Sequence, residues 1–139
     1  KLTTRIFKKY YGQNSESDFC KNYFLTMDEI KSINAMGHTI GWHSYNHCPM
    51  SKLSKEEINE DLCKGKNFLK EINNNQNLHI SYPYGRLDAI PVKYLSEIKN
   101  SNFKYGWTLG YQNDLIKKHS KYRNLLLGRI TPNELKNLG

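Results

Sequence analysis

No run in this chain approaches the 18 or more consecutive apolar residues that a membrane span requires, and the opening Lys1-Leu-Thr-Thr-Arg-Ile lacks the apolar stretch of a signal peptide. Neither a membrane span nor a leader is therefore read from it. Cysteine is scarce: Cys20, Cys48 and Cys63 form no Cys-x-x-Cys pair and leave one thiol over in any disulfide scheme. That favours free thiols and a reducing compartment, a lean towards the cytoplasm, with the cell envelope open if residues precede Lys1. Arginine is scarce too, contributing four of the 21 basic residues. The net charge of +8 could suit nucleic acid, but lysines scattered among frequent asparagines form no arginine stripe with interleaved aromatics. A Lys and Asn bias explains the charge, and no nucleic-acid partner is expected.

The 139 residues, 37% of them hydrophobic, suffice for one domain with a modest core and not for two. Residues 1–24 show no sustained period and read as a loop around one short helix or strand. From Thr26 the pattern sharpens. Thr26 and Glu29 form a capping box, Ile30, Ile33 and Met36 follow at helical spacing, and Gly37 is a stop. His38–His43 then suits a short strand through Ile40 and Trp42.

A second capping box, Ser54 to Glu57, opens an amphipathic helix marked by Ile58, Leu62, Gly65, Leu69 and Ile72. A strand over 78–82 is stopped by Pro83-Tyr84-Gly85, and a helix over 90–100 carries Pro91 in its first turn. A strand at 104–109, a polar loop at 110–123, a strand at 125–130 and a last helix from Thr131 complete the chain. Such alternation predicts an α/β domain with a mostly parallel sheet, open or closed into a barrel. Ligands of such folds bind beyond the carboxyl ends of strands, which directs attention to 43–47 and 82–85.

His43 and His47 stand four apart directly after a strand, so both imidazoles can reach one metal ion. Taken alone the pair is weak, because two histidines on a turn arise often by chance. Ser44 and Asn46 between them are candidates to orient the rings. Ser81-Tyr82-Pro83-Tyr84-Gly85 joins a proline-stiffened turn to a glycine that permits close backbone approach, and a turn after a strand presents N–H groups as an oxyanion hole requires. Alone, it reads as an ordinary strand-to-helix connection.

Together the two segments resemble the polysaccharide deacetylases, the NodB-homology or carbohydrate esterase family four domains. The resemblance runs from about Tyr23 to the C-terminus, with His43-Ser-Tyr-Asn-His47 matching the family's His-Ser/Thr-x-x-His motif. Ile80-Ser-Tyr-Pro-Tyr-Gly-Arg86 is similar to its Pro-Tyr-Gly motif, with Ser81 where many members carry Arg. Phe103–Thr108 and Leu126–Ile130 resemble later segments. The resemblance implies a distorted (β/α) barrel over one domain spanning 1–139, and hydrolysis of the acetamide of an N-acetylated sugar, a C–N amide bond other than a peptide bond. It implies a divalent metal, most often zinc, held by His43 and His47. It also implies an oxyanion donor in the Tyr84 backbone N–H, and a substrate cleft lined by Tyr82, Pro83, Tyr84 and Gly85. Trp42, Tyr45 and Trp107 are further aromatic candidates, though aromatics pack wherever area is needed.

The family's Asp-Asp motif, source of the general base and third metal ligand, has no counterpart here. The aspartates are Asp18, Asp28, Asp61, Asp88 and Asp114, and no two are adjacent. Asp61 reads as lying on the polar side of its helix, Asp88 as a helix cap. The family's later histidine is missing from the Leu126–Ile130 segment, and His119 sits too far into a loop. The expectation is that a first strand bearing the Asp-Asp motif precedes Lys1, leaving this chain an incomplete, inactive barrel whose exposed edge favours swapping or homo-oligomer formation. The alternative is a degenerate member that binds a glycan without hydrolysing it.

Overall fold

The fold was determined as a computed structural model that describes residues 8–10, 12, 20, 23–72, 77–110 and 112–130. Its backbone falls into two compact units, one ending at His38 and the other starting at Thr39. In the first, helix α1 spans Met27–Ala35. Its capping box forms as expected: the Glu29 N–H donates to the Thr26 hydroxyl, and the Thr26 N–H donates back to the Glu29 carboxylate at 2.7 Å. These hydrogen bonds from Thr26 hold the Glu29 carboxyl below its ordinary range.

The second unit is a small α/β assembly around a three-stranded parallel sheet. Helix α2 spans Lys55–Ile72, strand β1 Leu78–Ser81, helix α3 Leu95–Asn100 and strand β2 Phe103–Leu109. Helix α4 (Asn113–Lys118) and strand β3 (Leu127–Arg129) follow. The strand order is β1-β2-β3, with Ile80 opposite Gly106 and Thr108 opposite Gly128. Two of the helical connections are those expected, because the stripe of Ile58, Leu62, Gly65 and Leu69 buries one face of α2 and Leu95 with Ile98 buries one face of α3. These side chains join Leu78, Ile80, Tyr82, Phe103 and Leu126 in one core.

Several boundaries differ from the sequence expectation. The strand over 38–43 reduces to a single parallel bridge between Trp42 and Ile80, with Trp42 N–H donating to His79 and Ser81 N–H donating to Trp42, each at 2.8 Å. The pairing stops there because Ser44, at φ 59°, turns the chain out of extended conformation. In the expected helix over 90–100, residues Val92–Tyr94 form a 3-10 turn instead. Tyr94 (φ −117°, ψ 18°) lies outside helical geometry, which delays α3 to Leu95. The expected loop at 110–123 contains α4 and a 3-10 segment, Ser120–Leu125. Leu115 and Ile116 pack on the core there, but two adjacent apolar residues carry no period. Leu126, at ψ 32°, is not extended, so β3 starts two residues later than the expected Leu125. Most of residues 1–24 and the helix expected from Thr131 lie outside the described residues.

Glycine at position 65 lets the sheet edge dock on α2. A Cβ there would stand 2.6 Å from the Trp42 ring, closer than atoms can approach. The replacement Gly65→Ala should therefore force the indole away and lower stability by about 1–3 kcal/mol, read as a lower urea midpoint. Stabilisation through better helix propensity would contradict this packing.

Candidate functional site

The alternation of β1 sends Leu78 and Ile80 into the core and leaves His79 and Ser81 half-buried on the opposite face. On that face a cavity of about 450 Å³ is lined by Thr39, Gly41, Trp42, His43, His79, Ser81 and Trp107. His79 accepts from the Trp107 indole N–H through Nδ1 at 3.2 Å, and partial burial lowers its pKa from the ordinary value. A neutral imidazole is needed for that bond, and both effects favour it. The Ser81 hydroxyl is buried here with no partner among the described residues.

At the rim, directly beyond the Trp42 bridge, His43 is exposed and its Nδ1 lies 2.6 Å from the Ser81 carbonyl oxygen. A carbonyl can only accept, so Nδ1 carries a proton, and in the neutral imidazole the lone pair is then on Nε2. The His47 ring stands edge-on to His43 at 4.9 Å between centroids, and the Tyr84 ring lies 5.1 Å from His47. The two segments singled out in the sequence thus meet. His47 (φ 51°) and Tyr84 (φ 62°) both occupy the left-handed region, as does Ser44. Side chains there cost on the order of 1 kcal/mol each, so something must hold these turns.

For the histidine turn, the holder is Asp61. Its carboxylate is 7% exposed, and it accepts from Trp42 Nε1 at 2.8 Å, Ser44 Oγ at 3.0 Å and the Tyr45 backbone N–H at 2.7 Å. The placing of Asp61 on the polar side of its helix is corrected: it lies on the buried face. The sequence did contain the signal. Position 61 is three residues after Ile58 and four before Gly65, inside the apolar stripe rather than opposite it. An acid in such a stripe requires partners, and three donors supply them. Ser44 accordingly serves Asp61 rather than an imidazole.

The turn after β1 is held differently. Tyr82 N–H donates to Trp107, and Leu109 N–H donates to the Gly85 carbonyl at 2.8 Å. A Cβ on Gly85 would come within 2.6 Å of the Leu109 nitrogen, and its φ of 62° also favours glycine. The Tyr82 ring is fully buried, with its hydroxyl donating to the Leu125 carbonyl at 2.8 Å, and burial pushes the phenol well above its ordinary range. The expectation that the Tyr82 side chain lines a cleft is therefore corrected, because its ring is spent on the core. Pro83 and Gly85 are buried as well, whereas Tyr84 is exposed. Among the described residues nothing accepts from the Tyr84 backbone N–H.

The other candidates make contacts of their own. Trp42 packs on Gly65 and Phe68, and the exposed Tyr45 ring lies 4.8 Å from Lys64 Nζ. Asp88 is exposed with Arg86 at 3.6 Å. Cys48 Sγ lies 3.6 Å from the Asn46 carbonyl oxygen. The donor chemistry fits a divalent ion in part: His43 offers Nε2 while Nδ1–H is anchored on a carbonyl, the usual arrangement of a ligating histidine, and His47 stands beside it. Among the described residues no group of three or more His, Cys, Asp or Glu converges. No helix among them is long and apolar enough to cross a membrane.

Paired histidines beyond the Trp42 bridge and a Pro-Tyr-Gly turn beyond β1 thus meet at one end of a parallel α/β sheet. The polysaccharide deacetylase family model matches residues 3–105, well over half of the chain, and the chain belongs to that family. This is a family of carbohydrate deacetylases, hydrolases that are typically metal-dependent and act on acetylated carbohydrate. No curated protein and no solved structure is significantly similar to the chain.

Replacing Asp61 by Asn tests the anchor. An amide has one accepting oxygen, so its NH₂ must face either the Trp42 or the Tyr45 donor. Asp61→Asn should cost about 2 kcal/mol in urea unfolding, and a loss under 0.5 kcal/mol would mean the three hydrogen bonds do not hold the turn.

Proposed function

We propose that the chain serves metal-dependent hydrolysis of the N-acetyl group of an N-acetylated sugar or polysaccharide, on a distorted (β/α) barrel of its family's type. The observation that carries this reading is the meeting of His43, His47 and Tyr84 at one rim. His43 through Nε2 and His47 would hold the divalent ion, most often zinc in such sites. When bound, such an ion supplies a water of lowered pKa and polarises the amide carbonyl.

The chain's own contributions follow from the geometry. The Ser81 carbonyl fixes the His43 tautomer, and Asp61 fixes the turn that carries both rings. The Tyr84 N–H, held in the left-handed region, would donate to the oxyanion as the acetamide carbon becomes tetrahedral. Pro83 and Gly85 shape that turn, and the exposed Tyr84 ring is the aromatic surface beside it. A third ligand and a general base have no candidate among the described residues.

A second reading is favoured by one observation, the absence of any adjacent Asp-Asp pair in the sequence. In it the domain binds a glycan without hydrolysing it. The two separate on acetate release from an N-acetylglucosamine oligomer by this chain and by one extended upstream of Lys1, measured with and without chelator and beside His43→Ala. Release that both treatments abolish is the expected result for the hydrolase. Glycan binding without acetate, indifferent to chelator, would establish the second reading and overturn the first.

A further inference from the structure

At the end of the sheet opposite His43, a second cavity of about 460 Å³ opens between the start of β2 and the 3-10 segment Ser120–Leu125. Strand β2 runs from Phe103, at this cavity, to Leu109, which is bonded to Gly85 at the other end. Seven extended residues separate the two by roughly 20 Å. Four cations line it, Lys99, Lys104, Lys121 and Arg123, together with Tyr105 and Tyr122. No acid does.

Three surface cations outside the cavity are matched by acids: Lys55 with Glu97, Lys64 with Glu60, and Arg86 with Asp88. None of the four cavity cations pairs with an acid among the described residues. Lys121 and Lys99 instead hold their ammonium groups 4.9 and 6.0 Å from the centre of one ring, Tyr122. A lysine-rich composition scatters charge, but it does not by itself gather four unmatched cations around one concavity with half-buried aromatic rings. Their mutual repulsion makes a multiply charged anion the complementary ligand. The volume exceeds a single phosphate and falls in the range of small-molecule sites.

We propose that this cavity is a binding site for a diphosphate-bearing ligand, the phosphates lying among Lys99, Lys104, Lys121 and Arg123 and the attached group against Tyr105 and Tyr122. Arginine supplies bidentate donors to phosphate oxygens, and lysines supply point charge. Tyr105 also tilts against His79 at 4.7 Å, but none of the four cations lines the histidine cavity, and the site does not depend on metal there.

Calorimetric titration with inorganic pyrophosphate at 0.15 M salt is the test. The expected result is saturable one-to-one binding, unchanged by chelator, weakened roughly tenfold or more by Arg123→Ala and by Lys121→Ala. Both residues are exposed, so neither substitution disturbs the core. Lys70→Glu, on the exposed face of α2 and outside the cavity, changes net charge further and should leave affinity within about twofold. Tighter binding of uridine diphosphate than of pyrophosphate identifies a soluble ligand whose base uses the rings. Co-sedimentation with vesicles carrying a diphosphate-headgroup lipid, lost in Arg123→Ala, identifies a lipid source of the same group. No saturation by pyrophosphate, or equal weakening by Lys70→Glu, would overturn the proposal and reduce the cavity to undirected positive charge.

Discussion

A buried carboxylate accepting from three donors on one turn is the constraint on which the histidine rim rests. Asp61 reaches from α2 to the indole N–H of Trp42, the hydroxyl of Ser44 and the backbone N–H of Tyr45. The same indole lies flat on Gly65, one helical turn further along. Hydrogen bonds and packing therefore fix the end of the Trp42 bridge to one face of one helix. A left-handed Ser44 and a left-handed His47 become tolerable because the turn is tied at Ser44 and Tyr45 to α2 and, just before them, at His43 to β1. Burial of the acid without these donors would cost several kcal/mol, so anchor and turn stand or fall together.

Parallel pairing explains why the two motifs meet. Trp42 and Ile80 are neighbours in a parallel bridge, so the segments following them leave the sheet at the same end. One brings His43 and His47, the other Tyr84. Anchorage of the second turn is equally specific, since the Tyr82 hydroxyl binds the Leu125 carbonyl while Gly85 meets Leu109. The ring that the sequence suggested as a cleft wall is in fact the bolt that holds the turn to the core. What remains to face a ligand is the Tyr84 N–H and its ring.

The parts of this structure that were legible in the sequence are those written in periodicity. The α2 stripe, both capping boxes, a strand starting at Leu78 and the histidine pair follow from spacing and end signals. The family followed from two short motifs taken together. Less legible were features decided by tertiary contact. Nothing local predicts that His38–Gly41 stays outside the ladder, since pairing is decided by contacts distant in sequence. Helix α4 escaped because Leu115-Ile116 has no period, and Asp61 escaped because an acid was assumed to face water. Reading position 61 against Ile58 and Gly65, rather than by its charge, places it correctly.

Titration of the protein with zinc, followed by calorimetry in the native chain and in His43→Ala, His47→Ala and Asp61→Asn, tests the central claim most directly. The account predicts saturable binding that either alanine abolishes. It also predicts that Asp61→Asn weakens binding roughly tenfold or more at a temperature where circular dichroism shows it folded. Affinity unchanged in folded Asp61→Asn, or zinc held equally well without His43, would contradict a metal-holding rim organised by that carboxylate.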